Sequence, residues 1–208
     1  MDAARIASLL EPYAPGLSAA QLAQISAYLE LLLRWNARVN LTAVRQADNI
    51  VTRHFGESLF AARRLFPAPT SIGTIDLGSG SGFPGLPLKI HAPGLRLVLI
   101  ESQNKKAAFL SEVVRALGLR DVQVFSGRAE DFPDLAELVT VRAVERFAAM
   151  LPVAARLVAP AGRLALLIGS AQIATAQAAL GHFSWTAPVD LPGSSQRVLL
   201  VGTNKESQ

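Results

Sequence analysis

The chain has 208 residues, half of them hydrophobic, and its 20 basic and 16 acidic residues give a formal net charge of +4. This length fits one domain, or one domain with a sizeable extension, and the composition can bury a substantial core. The absence of cysteine excludes disulfides, thiolate zinc sites and cysteine nucleophiles, and we assign no metal site.

The ends and the charge pattern of the chain indicate where it acts. Residues 1–6 show no basic stretch followed by a long apolar run, and apolar runs such as 164–168 are too short to span a bilayer. We therefore expect a cytoplasmic protein without a signal peptide.

The basic residues cluster in one stretch, where only Asp48 and Glu57 are acidic. Its members are Arg34, Arg38, Arg45, Arg53, Arg63 and Arg64.

The first region, residues 1–68, is predicted to be a helical extension with two helices. The first covers 18–35, because Ser18 and Gln21 form a capping-box pattern and leucine and isoleucine residues follow at helical spacing. The second covers 48–65 and ends before two prolines. A turn-rich segment joins the two helices.

From residue 69 to 203, short strands and helices alternate, which predicts a parallel sheet with helices on both faces. The predicted strands cover 75–77, 95–101, 122–125, 139–141, 162–168, 183–189 and 197–201. The predicted helices cover 84–90, 105–117, 146–158 and 171–180. No helix separates the last two strands, so they suggest an antiparallel edge. Residues 204–208 are expected to form a flexible tail.

A glycine-rich loop joins the first predicted strand to the next helix and contains Gly78, Gly80 and Gly82. Glycines allow a sharp turn and a close approach to a ligand, and the helix N-terminus offers free N–H groups. A tight turn without a ligand would also fit this position. Three glycines and two serines within five residues favour a ligand site.

The loop alone does not identify this ligand, because residues 80–85 also match the dinucleotide fingerprint G-x-G-x-x-G. Asp76 favours S-adenosyl-L-methionine, since its carboxylate could reach the charged amino-acid part of that cofactor but would sit poorly beside a pyrophosphate. None of the histidines, His54, His91 and His182, stands in a dehydrogenase-like context. An NAD-dependent dehydrogenase remains the alternative.

Two acidic residues follow later strands at the same predicted edge. Glu101 ends the second strand, where a carboxylate can accept both ribose hydroxyls of either S-adenosyl-L-methionine or NAD. Glu130 lies in a loop after the third strand, which would pass over the adenine. Each could instead be a solvated surface glutamate.

Several segments together are similar to one family. They are Trp35-Asn-Ala-Arg-Val-Asn-Leu-Thr42, Arg53-His54 with Ser58-Leu59, 76–88, Glu101 with 105–110, 127–130 and 139–143. With these segments, the chain resembles the ribosomal RNA small subunit methyltransferase G family, also called glucose-inhibited division protein B. The combination of Trp-Asn-x-x-x-Asn-Leu-Thr with the glycine loop and Arg-Ala-Glu is specific to this family, whereas the glycine loop alone is not.

The resemblance implies a class I S-adenosylmethionine-dependent methyltransferase fold. This fold is Rossmann-like, with a mostly parallel seven-stranded sheet, an antiparallel edge strand and, here, an N-terminal helical extension. The implied reaction is N7 methylation of the guanosine at position 527 of 16S rRNA, in free RNA or in the small ribosomal subunit. The family's cofactor contacts fall on Gly78, Phe83, Ala129, Glu130 and Arg142. Members often carry Asp where this chain has Glu57 and Glu101, and both changes preserve the charge.

The complete predicted site has a cofactor part and a substrate part. The cofactor residues are Asp76, Gly78, Gly80, Gly82, Phe83, Glu101, Ala129, Glu130 and Arg142. Guanine N7 carries an in-plane lone pair and no proton, so we assign no catalytic acid or base. Arg142, Asn40 and His54 are candidates for positioning the base. For Asn36 and Asn40, one interpretation is RNA contact and the other is that they brace the turn after Trp35. His54 could instead be a packed, hydrogen-bonded histidine.

The remaining predictions concern the partner. The six clustered arginines could bind RNA phosphates, or they could be solvated helix faces. A methyltransferase acting on another RNA, a small molecule or a protein would keep the glycine loop but would not need this arginine-rich extension. A non-catalytic RNA-binding module is a further alternative.

Overall fold

The computed structural model describes residues 1–142 and 146–205. Within these ranges the α-helices are α1 (Ala3–Leu10), α2 (Ala19–Asn36), α3 (Ala47–Ile50), α4 (Glu57–Leu65), α5 (Gly85–His91), α6 (Asn104–Ala116), α7 (Phe147–Arg156) and α8 (Ile173–Ala179). The strands are β1 (Gly73–Leu77), β2 (Arg96–Glu101), β3 (Val122–Ser126), β4 (Ala136–Arg142), β5 (Val158–Gly169), β6 (Phe183–Trp185), β7 (Val189–Asp190) and β8 (Arg197–Asn204).

The strands form one sheet in the order β3-β2-β1-β4-β5-β8-β6, with β7 also paired to β8. Strands β1 to β5 are parallel, whereas β8 runs antiparallel to its three neighbours. The predicted alternation of strands and helices around a mostly parallel sheet is therefore confirmed. The strand order reverses between β1 and β4, and ligands of open α/β sheets bind at the carboxyl ends of the strands at such a point.

The last part of the sheet differs from the prediction. The single strand predicted over 183–189 is two strands, β6 and β7, because Pro188 lacks an N–H group and interrupts the ladder. The described sheet consequently has eight strands rather than seven. The antiparallel strand, β8, is not at the edge but lies between β5 and β6. Since β6 is antiparallel to β8, this edge strand runs parallel to β5.

The helical extension follows the prediction with two differences. Helix α2 begins at the predicted Ser18–Gln21 capping box. The predicted helix over 48–65 is a continuous helical run, in which a π-helical turn, Val51–Gly56, joins α3 to α4. Helix α1 was not predicted, because only Ile6 and Leu10 of its short sequence are buried.

The extension and the sheet region share one hydrophobic core. Tyr28 of α2 and Phe55 of the π-helical turn pack against Phe83 beside the glycine loop, and the same cluster includes Leu99 of β2 and Phe109 of α6. A second cluster packs α7 and α8 against the other face of the sheet. The predicted regions 1–68 and 69–203 are thus joined through continuous packing.

Two further points concern the limits of the chain. Of the predicted tail 204–208, Asn204 is the last residue of β8, and residues 206–208 lie outside the described ranges, as does Ala143. No helix in the described ranges is long and apolar enough to cross a membrane.

Candidate active site

The glycine loop adopts a backbone conformation that requires glycine at three positions. Gly78, Gly80 and Gly82 have φ angles of +70°, +56° and +89°, in the left-handed region. A Cβ atom on Gly82 would collide with the Tyr28 hydroxyl and with Leu86. A Cβ atom on Gly80 would meet only the Gly78 carbonyl oxygen, at 3.8 Å. The loop therefore packs tightly at Gly82 and faces open space at Gly80.

Glu101, at the carboxyl end of β2, holds this loop in place. Its Oε2 accepts a hydrogen bond from the Gly80 N–H at 2.9 Å, and its Oε1 accepts one from the Gln103 N–H at 2.7 Å. The residue is buried. The predicted alternative of a solvated surface glutamate does not fit these contacts.

Two cavities of about 410 Å³ and 380 Å³ lie at this edge of the sheet. Both are lined by Gly78, Glu101, Ser102 and Met150. Their sizes are within the usual range for small-molecule sites. The predicted residues that line the first cavity only are Gly80, Phe83, Arg142 and His54. Those that line the second only are Ala129 and Glu130.

A larger depression of about 470 Å³ lies at the opposite edge of the sheet. Gly73 and Ala136, at the amino ends of β1 and β4, contribute to it. None of the predicted site residues lines it. We therefore place the candidate site at the glycine loop and not in this depression.

Asp76 supports the loop from behind and lines neither cavity. Its Oδ2 accepts a hydrogen bond from the Gly85 N–H at 3.2 Å, and its Oδ1 accepts one from the Thr140 hydroxyl at 2.7 Å. Burial raises the pKa of Asp76 to about 6, although these hydrogen bonds act in the opposite direction. The carboxylate was predicted to reach the amino-acid part of a cofactor, and that contact stays a prediction.

This pKa predicts how stability depends on pH. The pKa of Asp76 is about 6 in the folded protein against an ordinary value of 3.8, so the folded state binds the proton more tightly. The resulting stabilisation is fully present below about pH 4 and is lost as the pH rises through 6. Relative to Asp76→Asn, the wild type should lose about 2.4 kcal/mol of unfolding free energy between pH 4 and 7.

Urea denaturation at several pH values measures this difference. Asp134→Asn, which changes an exposed aspartate, is the matched control and should follow the wild type at every pH. If the curves of Asp76→Asn and the wild type were parallel, Asp76 would have its ordinary pKa in the folded protein.

Arg142, at the end of β4, connects the sheet to the helical extension. Its Nη2 donates to the Arg53 carbonyl oxygen at 2.5 Å and to Glu57 Oε2 at 3.1 Å, and it lies 3.2 Å from His54 Nδ1. Glu57 Oε1 lies 2.6 Å from Nη2 of Arg197. The Glu57 side chain is only 2% exposed, so one buried carboxylate bridges two arginines. Arg142 lines the first cavity but is also held by these contacts.

The segment after Trp35 is braced by Asn36. The Asn36 Oδ1 accepts hydrogen bonds from the N–H groups of Leu41 and Thr42, and its Nδ2 donates to the Thr42 carbonyl oxygen. Asn40 is exposed, accepts a hydrogen bond from Arg45 and lines neither cavity. The bracing role therefore belongs to Asn36, and a role of Asn40 in positioning the base stays a prediction.

Tyr28 is a site residue that the sequence analysis missed. Its hydroxyl donates a hydrogen bond to the Ser81 carbonyl oxygen of the glycine loop. Burial raises the pKa of Tyr28 well above its ordinary value, with the Asp76 carboxylate acting in the same direction. The available signal was a tyrosine on the apolar face of a helix, because a buried hydroxyl needs a partner.

The six clustered arginines differ in the contacts that their side chains make with other groups of the protein. Arg34 pairs with Glu112 at 2.8 Å, and Arg63 donates to the Pro15 carbonyl oxygen. Arg64 lies over the Phe60 ring. Arg45 hydrogen-bonds to Asn36 and Asn40. Among the residues that the structure describes, the side chains of Arg38 and Arg53 have no ion-pair partner, and both residues are exposed.

Comparison with known proteins gives concordant results. The family model described as rRNA small subunit methyltransferase G matches residues 21–186. A curated relative from Chloroflexus aggregans, "Ribosomal RNA small subunit methyltransferase G", is 42% identical over 200 residues, which cover 90% of this chain and 83% of that protein.

Solved structures resemble the fold at low sequence identity. The ribosomal protein L11 methylase from Lactobacillus delbrueckii subsp. bulgaricus has a TM-score of 0.61 at 14% identity, and the match covers 74% of this chain and 79% of that chain. TYW2 from P. horikoshii, in complex with MeSAdo, has a TM-score of 0.56 at 16% identity, with 70% and 61% covered. These likenesses confirm the predicted Rossmann-like, class I methyltransferase fold.

Proposed function

Because this chain belongs to the ribosomal RNA small subunit methyltransferase G family, we propose that it methylates N7 of a guanosine in 16S rRNA, at position 527, in the cytoplasm. The methyl donor is S-adenosyl-L-methionine. The observation that carries this proposal is the glycine loop at the carboxyl end of β1, which Glu101 holds against two adjoining cavities. The substrate is either free 16S rRNA or the small ribosomal subunit.

The residues at the cavities fit such a cofactor. The open space in front of Gly80 admits a ligand close to the backbone. Glu101, which lines both cavities, is suited to the ribose hydroxyls. Ala129 and Glu130 line the second cavity and would contact the adenine. Asp76 and Gly82 support the loop, and Phe83 and Arg142 line the first cavity, where they would contact the cofactor.

The strand order argues against the NAD-binding alternative. The common dinucleotide-binding sheet has six parallel strands in the order 3-2-1-4-5-6. In this chain the antiparallel strand β8 is inserted between β5 and β6. A methyltransferase site at the β1 loop therefore fits the observed sheet better than a dehydrogenase site.

The chemistry requires alignment rather than acid–base catalysis. The cofactor supplies an electrophilic methyl group on a sulfonium. Guanine N7 has a free lone pair, so the protein must bring N7 into line with that methyl group and exclude competing water. Burial and the neighbouring arginines Arg142 and Arg53 lower the pKa of His54 to about 3. The imidazole is therefore neutral at physiological pH, and it adds no positive charge to the first cavity.

Methylation of isolated small subunits and of free 16S rRNA with labelled S-adenosyl-L-methionine tests this function. We expect label at one guanosine, mapped by primer extension. RNA with 7-deazaguanosine at that position lacks the reacting nitrogen and should accept no methyl group. Transfer to a different base, or to the 7-deaza RNA, would contradict the proposal.

Replacement of Glu101 should weaken cofactor binding. Glu101→Ala removes a carboxylate that would accept hydrogen bonds from the ribose and that now holds the Gly80 N–H. The loss should be about 1.5–3 kcal/mol in binding free energy, measured by calorimetric titration with S-adenosyl-L-methionine. Glu137→Ala, a change at an exposed carboxylate on the opposite edge of the sheet, should leave the affinity unchanged. Normal affinity of Glu101→Ala would show that the ribose binds elsewhere.

The two neighbouring arginines of the extension should contribute unequally to RNA binding. Arg38→Ala should reduce the slope of log affinity against log salt concentration by about 0.7–0.9, as expected for one phosphate contact. Arg34→Ala should have a smaller effect, because Glu112 already pairs with Arg34. Filter binding at several salt concentrations measures both slopes. Equal slopes for wild type and Arg38→Ala would identify Arg38 as a solvated residue.

A further inference from the structure

Met150, in the first turn of α7, lines both of the cavities at the glycine loop. The two cavities share three other residues, Gly78, Glu101 and Ser102, which lie at the carboxyl ends of β1 and β2. Glycine has no side chain, and the other two side chains are polar. Among the residues that the structure describes, Met150 therefore supplies the apolar side chain at the junction of the two cavities.

The proposed function places the cofactor across this junction. Ala129 and Glu130 of the second cavity suit the adenine, and Glu101 suits the ribose. The first cavity then takes the amino-acid part of the cofactor with its methyl group. A ligand that extends from one cavity into the other has to pass the residues that line both, so Met150 lies against the bound cofactor.

Met150 also carries the oxidisable sulfur atom of this site. The whole chain has no cysteine and two methionines, Met1 and Met150. Met1 is 37% exposed at the N-terminus and lines neither cavity. Met150 is half-buried, since it packs against the second hydrophobic cluster and also faces the cavities. Peroxides oxidise accessible thioethers, and a cavity wall is accessible to so small a molecule.

Oxidation would change the chemical character of the junction. The sulfur lone pair attacks one oxygen of hydrogen peroxide, a sulfur–oxygen bond forms, the O–O bond breaks, and the second oxygen leaves as water. The sulfur is oxidised and the peroxide is reduced. The resulting sulfoxide is larger and polar, and it can only accept hydrogen bonds. The carboxylate of Glu101, at the same junction, is also only an acceptor.

A bound cofactor would cover this sulfoxide and remove it from water. Burial of a polar group without a hydrogen-bond partner is unfavourable, and the added oxygen also occupies space at the junction. Both effects oppose cofactor binding. Conversely, a cofactor that is already bound covers the thioether and prevents the approach of peroxide.

We propose that Met150 is an oxidation site at which peroxide blocks the binding of S-adenosyl-L-methionine, and that the bound cofactor protects it. This inference rests on the proposed function, which places the cofactor at the junction. Because methionine sulfoxide can be reduced enzymatically, the block is reversible.

The first test measures protection in the wild-type protein. The protein is treated with hydrogen peroxide in the presence and absence of S-adenosyl-L-methionine, whose positively charged sulfonium is not itself oxidised. Peptide mass spectrometry follows the sulfoxides of Met150 and Met1. With the cofactor at about ten times its Kd, Met150 should oxidise about tenfold more slowly, because about one site in ten remains free. The oxidation rate of Met1, the internal control, should not change.

The second test measures affinity before and after peroxide treatment by calorimetric titration. Oxidised wild type should bind S-adenosyl-L-methionine about tenfold more weakly. Met150→Leu has no sulfur at this position and nearly the same volume, so the ratio of its affinities before and after treatment should be close to one. Methionine sulfoxide reductases for both epimers, with dithiothreitol as the reductant, should restore the affinity of the wild type.

Three results would overturn the proposal. They are equal oxidation of Met150 with and without the cofactor, unchanged affinity once Met150 is oxidised, and an equal loss of affinity in peroxide-treated Met150→Leu. The first needs no variant to fold. In each case the proposed function would stand, because the untreated wild type would still bind the cofactor and methylate RNA. Absence of cofactor binding by the untreated wild type would overturn both.

Discussion

Gly80→Val should reduce the affinity for S-adenosyl-L-methionine at least 100-fold while the protein remains folded. The φ angle of Gly80 is +56°, a region that is costly for a β-branched residue, and the strain should lower stability by about 1–3 kcal/mol. The side chain itself would enter the open space in front of Gly80, where we place the cofactor. Calorimetric titration measures the affinity, and thermal unfolding measures the stability.

Gly118→Val is the matched control for this variant. Gly118 follows α6, has a φ angle of +61°, and a Cβ atom there would have no neighbour within 4 Å. Its valine should therefore cost a similar amount of stability without any change in cofactor affinity. Normal cofactor binding by folded Gly80→Val, or an equal loss in Gly118→Val, would mean that the cofactor does not occupy the glycine loop.

Glu57→Gln should be the most destabilising single change considered, at about 3–5 kcal/mol in unfolding free energy. The Glu57 side chain is 2% exposed and bridges Arg142, 12% exposed, and Arg197, 32% exposed. The variant would leave two arginines without their shared carboxylate, in surroundings where water screens them weakly. Urea denaturation at pH 7 measures the loss.

Asp48→Asn provides the comparison for an exposed pair in the same helical extension. Asp48 pairs with Arg5 at 2.6 Å, and both side chains are about half exposed, at 46% and 54%. Because solvent screens such pairs, this variant should change stability by about 1 kcal/mol or less. Similar small losses in both variants would show that burial does not strengthen the Glu57 bridge.

The parts of the fold that could be predicted from sequence depend on local patterns. The alternation of strands and helices after residue 69 predicted the parallel sheet, and the spacing of Gly78, Gly80 and Gly82 located the loop. The π-helical turn within residues 47–65 was not predicted, since its sequence has no proline and its one glycine, Gly56, is tolerated inside a helix. Pro188, by contrast, was a local signal that the predicted strand 183–189 overlooked.

The contacts that complete the site are between residues far apart in sequence. Arg142 and Glu57 are 85 residues apart, and Tyr28 and Ser81 are 53 apart. Amphipathic patterns identify which residues are buried but not which distant partner each one meets. The family resemblance pointed to Arg142, yet its contacts with Arg53, His54 and Glu57 required the tertiary structure.

Asp76 illustrates a second limit of prediction from sequence. Its position at the end of the first strand was correctly predicted, but a position does not give the direction of a side chain. The carboxylate is directed to Gly85 and Thr140 behind the loop, whereas Glu101, at the corresponding end of β2, lines both cavities. The assignment of Asp76 to the cofactor therefore remains a prediction.

The core shared between the extension and the sheet region has a consequence for modularity. Tyr28 packs against Phe83 and Phe109, and Phe55 packs against Phe83. The Tyr28 hydroxyl also holds the glycine loop through Ser81. Without residues 1–68, these aromatic rings would face water and the loop would lose a backbone contact. The extension is therefore not an exchangeable adaptor, and grafting it onto another methyltransferase would require the matching aromatic surface as well.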